Sequence, residues 1–377
     1  MWLRSGLGLV LAGGAARGAY EAGVLRYLFG EFTRRHRAPW PDVISGTSVG
    51  AMNGAFVAAR DPAGVDWLAK TWRELQIPQV FGITYTDVFR TLRLAFSDQP
   101  FAIADPRPLQ RLVARNWPTE AIKRSIAEHG TAWMVGTTDL TSGRTLLFHD
   151  GPEAPEWTPR PGVRLVHTRI KPVHALASAA LPLLFPPIPL GGAQLVDGGL
   201  RQNTPLGPVL RAGADRVLVL SMKRQAMDDE RPAAQPNLSF LVGKTLNALL
   251  LDPVEQDVFE ARNINRIVDW GVRTYGEGFA ERLEQDLGVR RAQVLFLTPS
   301  EDLGEVAVQL FRSRPPRVSG AVQQLLERAA GSSGPDSDLL SYVYFDREYT
   351  GALESLGHED ARRREGEIAS VLLGPGG

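Results

Sequence analysis

The chain contains no cysteine, which excludes a disulfide framework, a thiol nucleophile and thiolate metal ligands, and weakly favours the cytoplasm. It has no surplus of either charge: 42 Lys and Arg balance 42 Asp and Glu, leaving no electrostatic footprint for nucleic acid. No run of about 18 apolar residues occurs, so no spanning helix is expected. Lysine is confined to Lys70, Lys123, Lys171, Lys223 and Lys244, a scarcity that points to a GC-rich genome rather than to function. The six histidines include no pair at metal-ligand spacing with a carboxylate partner, and neither a metal nor a cofactor is expected. Met1-Trp2-Leu3-Arg4-Ser5-Gly6 leads straight into an apolar run, so no cleavable signal is expected there. The 377 residues, 44% of them hydrophobic, suffice for one large α/β domain and an accessory region.

What is present centres on Gly46-Thr47-Ser48-Val49-Gly50, which follows the apolar Val43-Ile44 and opens the small-residue stretch Ala51-Met52-Asn53-Gly54-Ala55. A serine on a strand-to-helix turn has the placement of a nucleophile. The turn is sharp, so a Cβ at 46 or 50 would collide with the neighbouring strand or helix, and the helix start offers unpaired N–H groups to an oxyanion. Gly-X-Ser-X-Gly alone is weak, with roughly 0.2 chance matches in a chain of this composition. Its strand-turn-helix context makes it specific. Only one strong strand, Leu7-Gly8-Leu9-Val10-Leu11, lies upstream, which is too few for an ordinary α/β-hydrolase.

That first strand runs into Ala12-Gly13-Gly14-Ala15-Ala16-Arg17-Gly18, where consecutive glycines free backbone N–H groups to converge on an anion. An oxyanion hole fits this loop better than a dinucleotide site. The glycine that admits a pyrophosphate is replaced by Ala15, and no acidic residue ends a strand at the spacing a ribose needs. The third element is Leu195-Val196-Asp197-Gly198-Gly199, whose carboxylate can act as general base if it reaches the Ser48 hydroxyl.

In this order, the glycine-rich loop with its arginine, the elbow and the Asp-Gly-Gly resemble the patatin-like phospholipase family. Ala177-Ser178-Ala179-Ala180-Leu181-Pro182 through Phe185-Pro186-Pro187 is similar to the family's proline-rich segment. The resemblance covers roughly residues 5–225 and includes Gly136-Thr137-Thr138-Asp139-Leu140, similar to the family's central strand and hairpin. It implies a patatin-type three-layer α/β/α fold with a mostly parallel central sheet and a catalytic domain over 5–225; beyond it, the shift to amphipathic helical sequence leads to the expectation of a mainly helical C-terminal extension over 226–377 packed on that domain. It further implies a serine lipid acyl hydrolase of phospholipase A, lysophospholipase or carboxylesterase type. In that reading Ser48 attacks and Asp197 takes its proton without a histidine. The loop Gly13, Gly14, Ala15, Ala16, Arg17 and Gly18 supplies the oxyanion donors; Gly46, Thr47, Val49 and Gly50 form the elbow, with Gly198 and Gly199 beside the base. The family usually has glycine where this chain has Ala15, which keeps the N–H but restricts φ. A regulatory or scaffold protein that no longer turns over, and an acyltransferase sharing the acyl-enzyme, stay open as alternatives. The implied partner is a phospholipid or other acyl-ester lipid, met by a cytoplasmic protein with peripheral membrane contact left open, and no nucleic acid.

Alternating apolar runs predict strands at 7–12, 42–46, 132–138, 144–148, 193–196, 215–221 and 293–298, with a hairpin at Thr141-Ser142-Gly143. Helices are expected over 15–29 and 48–60, as an amphipathic stretch from about 238 to Arg266, and from Leu339 to Leu372, the last after a linker-like break at Gly331–Asp336. Among the histidines, His36, His129, His149, His167 and His174 precede Asp197, so a Ser-Asp-His triad would leave His358, expected to be solvated in a polar helix. His149 beside Asp150 is expected to end a hairpin strand. The apolar segment Pro78–Phe101 reads either as helices packing on the core or as an interfacial cap. The cap would lay Phe81, Phe89 and Phe96 on lipid, with Arg90 and Arg93 meeting phosphate.

Overall fold

A computed structural model describes residues 6–82, 102, 104–152, 161–223, 253–316, 318, 320–330 and 338–374. Nine strands join in one sheet among them: β1 (Leu7–Leu11), β2 (Val43–Thr47), β3 (Ala132–Asp139), β4 (Thr145–Asp150), β5 (Val163–His167), β6 (Ile188–Leu190), β7 (Ala193–Asp197), β8 (Arg216–Leu220) and β9 (Gln293–Leu297). The order is β5-β4-β3-β2-β1-β8-β9, parallel from β3 to β9, with β4 antiparallel to β3 and β7 paired to β3 and β6. The sheet is therefore mostly parallel, flanked by helices, as the sequence reading expects.

Side-chain alternation along the strands builds the three layers. Leu9, Leu11, Ile44, Trp133, Val135, Leu218 and Leu220 point to one core. Val10, Val43, Met134, Val217 and Val219 point to the other. A strand apolar at every position, such as β1, is what burial on both faces requires. The larger core receives the helices Gly18–Leu25, Val49–Ala58, Pro62–Glu74 and Arg347–Arg363; the smaller receives Leu206–Arg211 and part of Pro253–Tyr275.

Residues of the expected extension enter both the sheet and the core. β9 pairs in parallel with β8, and Tyr344, Phe345, Tyr349 and Leu353 are buried in the larger core. The helices Gly18–Leu25 and Arg347–Arg363 touch backbone to backbone. A Cβ on Gly23 would stand 1.9 Å from the Glu354 carbonyl oxygen, and one on Gly357 would stand 2.0 Å from that of Tyr20.

Several local expectations differ. The segment 15–29 is a 3-10 turn at Ala15–Arg17, an α-helix over Gly18–Leu25 and wider π-type winding over Arg26–Phe32, where the Thr33 hydroxyl donates to the Leu28 carbonyl at 2.9 Å. The single helix expected from Leu339 is three: Asp338–Val343, Arg347–Arg363 and Glu365–Leu372. Asp346 starts the second by accepting from the Glu348 N–H at 3.0 Å, a capping bond that competes with helix continuation. β5 and β6 were not expected; β5 is an edge strand whose residues are half-buried or exposed, and β6 has three residues. Phe81 does not face lipid: it is 2% exposed and packs edge-on against Phe345 at 5.9 Å between ring centres. The rest of the segment from Ile83 to Phe101, the stretch 238–252 and the break Gly331–Asp336 lie outside the described residues.

Candidate active site

Strand register brings the two chemical groups together. β3 carries two partners in tandem on one edge: β2 pairs in parallel up to Thr47 opposite Gly136, and β7 pairs antiparallel with Asp197 opposite Thr137. β2 and β7 thus run toward each other along β3 and end face to face. The residue after Thr47 is Ser48, and the last residue of β7 is Asp197. The Ser48 hydroxyl donates to Asp197 Oδ2 at 2.7 Å, and the Gly199 N–H donates to Oδ1 at 2.7 Å.

The elbow is strained in the way its position demands. Ser48 has φ 55 and ψ −125 at the N-cap of the helix Val49–Ala58, a conformation costing a non-glycine residue about 1–3 kcal/mol. Its neighbours leave no room: a Cβ on Gly46 would lie 2.5 Å from the Gly50 carbonyl oxygen, and one on Gly50 would lie 2.4 Å from that of Leu11. The Ser48 N–H donates to Ser178 Oγ at 2.8 Å, and the Ser178 hydroxyl donates to the Gly136 carbonyl at 2.5 Å. Ser178 therefore ties the elbow to β3. Deeper in the helix, Asn53 Nδ2 donates to Glu21 Oε2 at 2.7 Å and to the Gly18 carbonyl at 3.1 Å, and Asn53 Oδ1 accepts from the Trp72 indole at 3.0 Å. Burial pushes the Glu21 carboxyl well above the ordinary carboxylate range, while the bond from Asn53 pulls it down.

Asp197 is 2% exposed, and burial pushes its carboxyl up to about 6, while the bonds from Ser48 and Gly199 pull it down. A carboxylate held there is ionised at neutral pH and basic enough to accept a hydroxyl proton.

The glycine-rich loop divides its amides. The Gly13 N–H donates to Asn203 Oδ1 at 3.1 Å, and Asn203 Nδ2 returns a bond to the Gly13 carbonyl at 3.2 Å. Gly13 is thus occupied, and among the described residues the Gly14 and Ala15 N–H groups donate to no backbone or side-chain acceptor. Ala15 holds φ 49, the left-handed region that a glycine would enter freely. Ala16 is in the core, and Gly18 packs on Val49. Arg17 does not line the space next to Ser48; it is 3% exposed and its Nε donates to Ser341 Oγ at 2.9 Å.

Gly14, Ala15, Ser48 and Asp197 line a cavity of about 120 Å³ whose other walls include Met52, Phe56, Leu68, Leu112, Val113 and Trp117. No histidine lines it among the described residues. His358, expected to be solvated, is half-buried and bonds Glu31 at 2.6 Å, against the edge of Tyr27. His149 and His167 face each other across β4 and β5 with ring centres 5.3 Å apart, and burial and that neighbour push His149 down to about 4. His174 Nδ1 accepts from the Lys171 N–H at 2.9 Å. Among the described residues no group of three acidic or histidine side chains could hold a metal ion, and no helix is long and apolar enough to cross a membrane.

Sequence reasoning placed Ser178 in a proline-rich block without a role and passed over Asn203. Both act on backbone groups of segments distant in sequence, which no local pattern reveals.

A mostly parallel sheet covered by helices on both faces, with a strained serine between its second strand and the helix that follows, defines an α/β class of protein. Within that class, the family model described as patatin-like phospholipase matches residues 9–210, more than half of the chain, and the chain belongs to that family, whose members are lipid acyl hydrolases. Solved structures that match include VipD from Legionella pneumophila, at 14% identity and TM-score 0.42, covering 95% of this chain and 66% of that one. This chain thus spans just under two thirds of VipD. Another is the ExoU-SpcU complex of the Pseudomonas aeruginosa type III secretion system, at 16% identity and TM-score 0.30, covering 89% of this chain and 74% of that one. No curated protein matches.

Proposed function

We propose that the chain is a serine lipid acyl hydrolase, of phospholipase A, lysophospholipase or carboxylesterase type, in which Ser48 is the nucleophile and Asp197 the general base. The observation that carries this is the 2.7 Å bond from the Ser48 hydroxyl to Asp197, both of which line an apolar cavity. Ser48 Oγ attacks the ester carbonyl carbon as its proton passes to Asp197, and the carbonyl oxygen becomes an oxyanion facing the Gly14 and Ala15 N–H groups. The tetrahedral intermediate collapses, the C–O bond to the alcohol breaks, and the alcohol leaves with the proton held by Asp197. Water then gives a proton to Asp197 and attacks the acyl-enzyme. Collapse releases the fatty acid, and the proton returns to Ser48. The cavity wall of Met52, Phe56, Leu112, Val113 and Trp117 receives the acyl chain.

Two features favour turnover over a scaffold role. Ala15 keeps the left-handed backbone despite its Cβ, and the Gly14 and Ala15 amides stay without acceptors. The substrate is taken from a lipid surface: Trp67, a lining residue 37% exposed, and Leu183, 66% exposed between the lining residues Leu181 and Leu184, are placed to meet it. Hydrolysis of a p-nitrophenyl acyl ester series and of phospholipid vesicles by purified protein, with Ser48→Ala as control, tests the reading. Activity that is absent from wild type or retained by Ser48→Ala overturns it.

A further inference from the structure

The turn that follows β1 is contacted by a segment far outside residues 9–210, the part of the chain that matches the family. Arg17 closes the turn that begins at Gly14, its N–H donating to the Gly14 carbonyl at 3.0 Å. Its guanidinium leaves the turn and enters the helix Asp338–Val343. Nε donates to Ser341 Oγ at 2.9 Å, and the guanidinium carbon stands 4.2 Å from the centre of the Tyr342 ring. Ser341 and Tyr342 are 0% and 1% exposed, so the contact is dry, where a cation over an aromatic face is strongest and a badly placed charge is most costly. The helix is itself fixed, since the Tyr349 hydroxyl reaches the Leu303 and Ser341 carbonyls at 3.0 and 3.4 Å. Just beyond it, Phe345 forms part of the cavity wall.

Between these anchors lies Ala15 at φ 49. A residue with a Cβ keeps that conformation only where its surroundings over-determine it. Asn203 fixes Gly13 on one side, and Ser341 with Tyr342 fixes Arg17 on the other. We infer that Ser341 and Tyr342 are positioning residues for the oxyanion loop: they clamp Arg17, and through it hold Ala15 left-handed so that the Gly14 and Ala15 N–H groups face the reacting carbonyl. This rests on the acyl hydrolase reading above. Without the clamp, Ala15 relaxes to negative φ and turns the amides away. Substrate binding in the apolar cavity persists while stabilisation of the transition state is lost.

The test is steady-state kinetics on an acyl ester with the full-length chain, with folding monitored by circular dichroism and thermal melting. Tyr342→Leu should lower kcat about 100–1000-fold, the scale of losing an oxyanion donor, with KM changed less than about twofold. Tyr342→Phe, which keeps the aromatic face, should recover most of the turnover. Ser341→Ala, a smaller change that serves if Tyr342→Leu does not fold, should lower kcat several-fold. Adding Ala15→Gly to either damaged variant should restore kcat, because glycine holds positive φ without the clamp; a merely structural role for Tyr342 would not respond to that change. Wild-type kcat in both Tyr342→Leu and Ser341→Ala, a loss confined to KM, or no recovery with Ala15→Gly overturns the clamp while leaving the hydrolase reading intact. A wild-type chain that cleaves no ester overturns the hydrolase reading, and the clamp with it.

Discussion

Replacing Asp197 by asparagine separates what the carboxylate does for chemistry from what it costs the fold. The carboxyl is 2% exposed and sits at about 6 against an ordinary 3.8, although Ser48 and Gly199 both donate to it. Because the folded value is raised, the native chain binds this proton more tightly than the unfolded chain between about pH 4 and 6. Stability therefore falls as pH rises through that window, and the deficit is complete above it. At about 1.4 kcal/mol per tenfold change, ionised Asp197 costs about 3 kcal/mol at neutral and alkaline pH. Asparagine has the same shape: its oxygen accepts from Gly199 and its amide group reaches Ser48 Oγ. Asp197→Asn should lose several orders of magnitude in turnover and melt about 4 °C higher than wild type near pH 8, with the difference vanishing near pH 4. Calorimetry across that range, alongside the ester assay, checks both halves. A variant that is less stable at every pH, or equally shifted at pH 4 and 8, would refute the claim that the base is held as a costly buried charge.

Further outcomes follow from the same geometry. The pH profile of wild-type kcat/KM should fall on the acid side with an apparent value near 6, set by protonation of Asp197; a profile flat down to about pH 4 would exclude it as the base. Ser178→Ala strands the Ser48 N–H and the Gly136 carbonyl and should destabilise the fold by about 1–3 kcal/mol in denaturant titration. Leu112→Trp, which narrows the cavity, should cut kcat/KM for long acyl chains by about tenfold or more while sparing short ones, as read from the p-nitrophenyl series.

Much of this site was legible because its parts are local. A glycine that must clear a carbonyl, as Gly50 clears Leu11, leaves its mark in the sequence, and so does a strand apolar at every position, such as β1. Asp197 was legible only in company, since Asp-Gly-Gly is an ordinary turn until β3 aligns β2 and β7 end to end. Contacts between distant segments were not legible. Arg17 reads as part of an oxyanion loop, yet its side chain is spent on Ser341 and Tyr342. Phe81 reads as a lipid-facing aromatic, yet Phe345 covers it. His358 lies in a polar stretch, yet Glu31 and Tyr27 from the first helical segment enclose it. In each case the deciding partner is hundreds of residues away and has no pattern of its own.

The central claim is that Ser48 carries the acyl group during turnover. Mass spectrometry of the protein, acid-quenched within milliseconds of mixing with a long-chain p-nitrophenyl ester, should find an acyl adduct on the peptide containing Ser48 in wild type. The adduct should be absent from Ser48→Ala and greatly diminished in Asp197→Asn. An adduct on another residue, or ester cleavage that continues in Ser48→Ala, would contradict it.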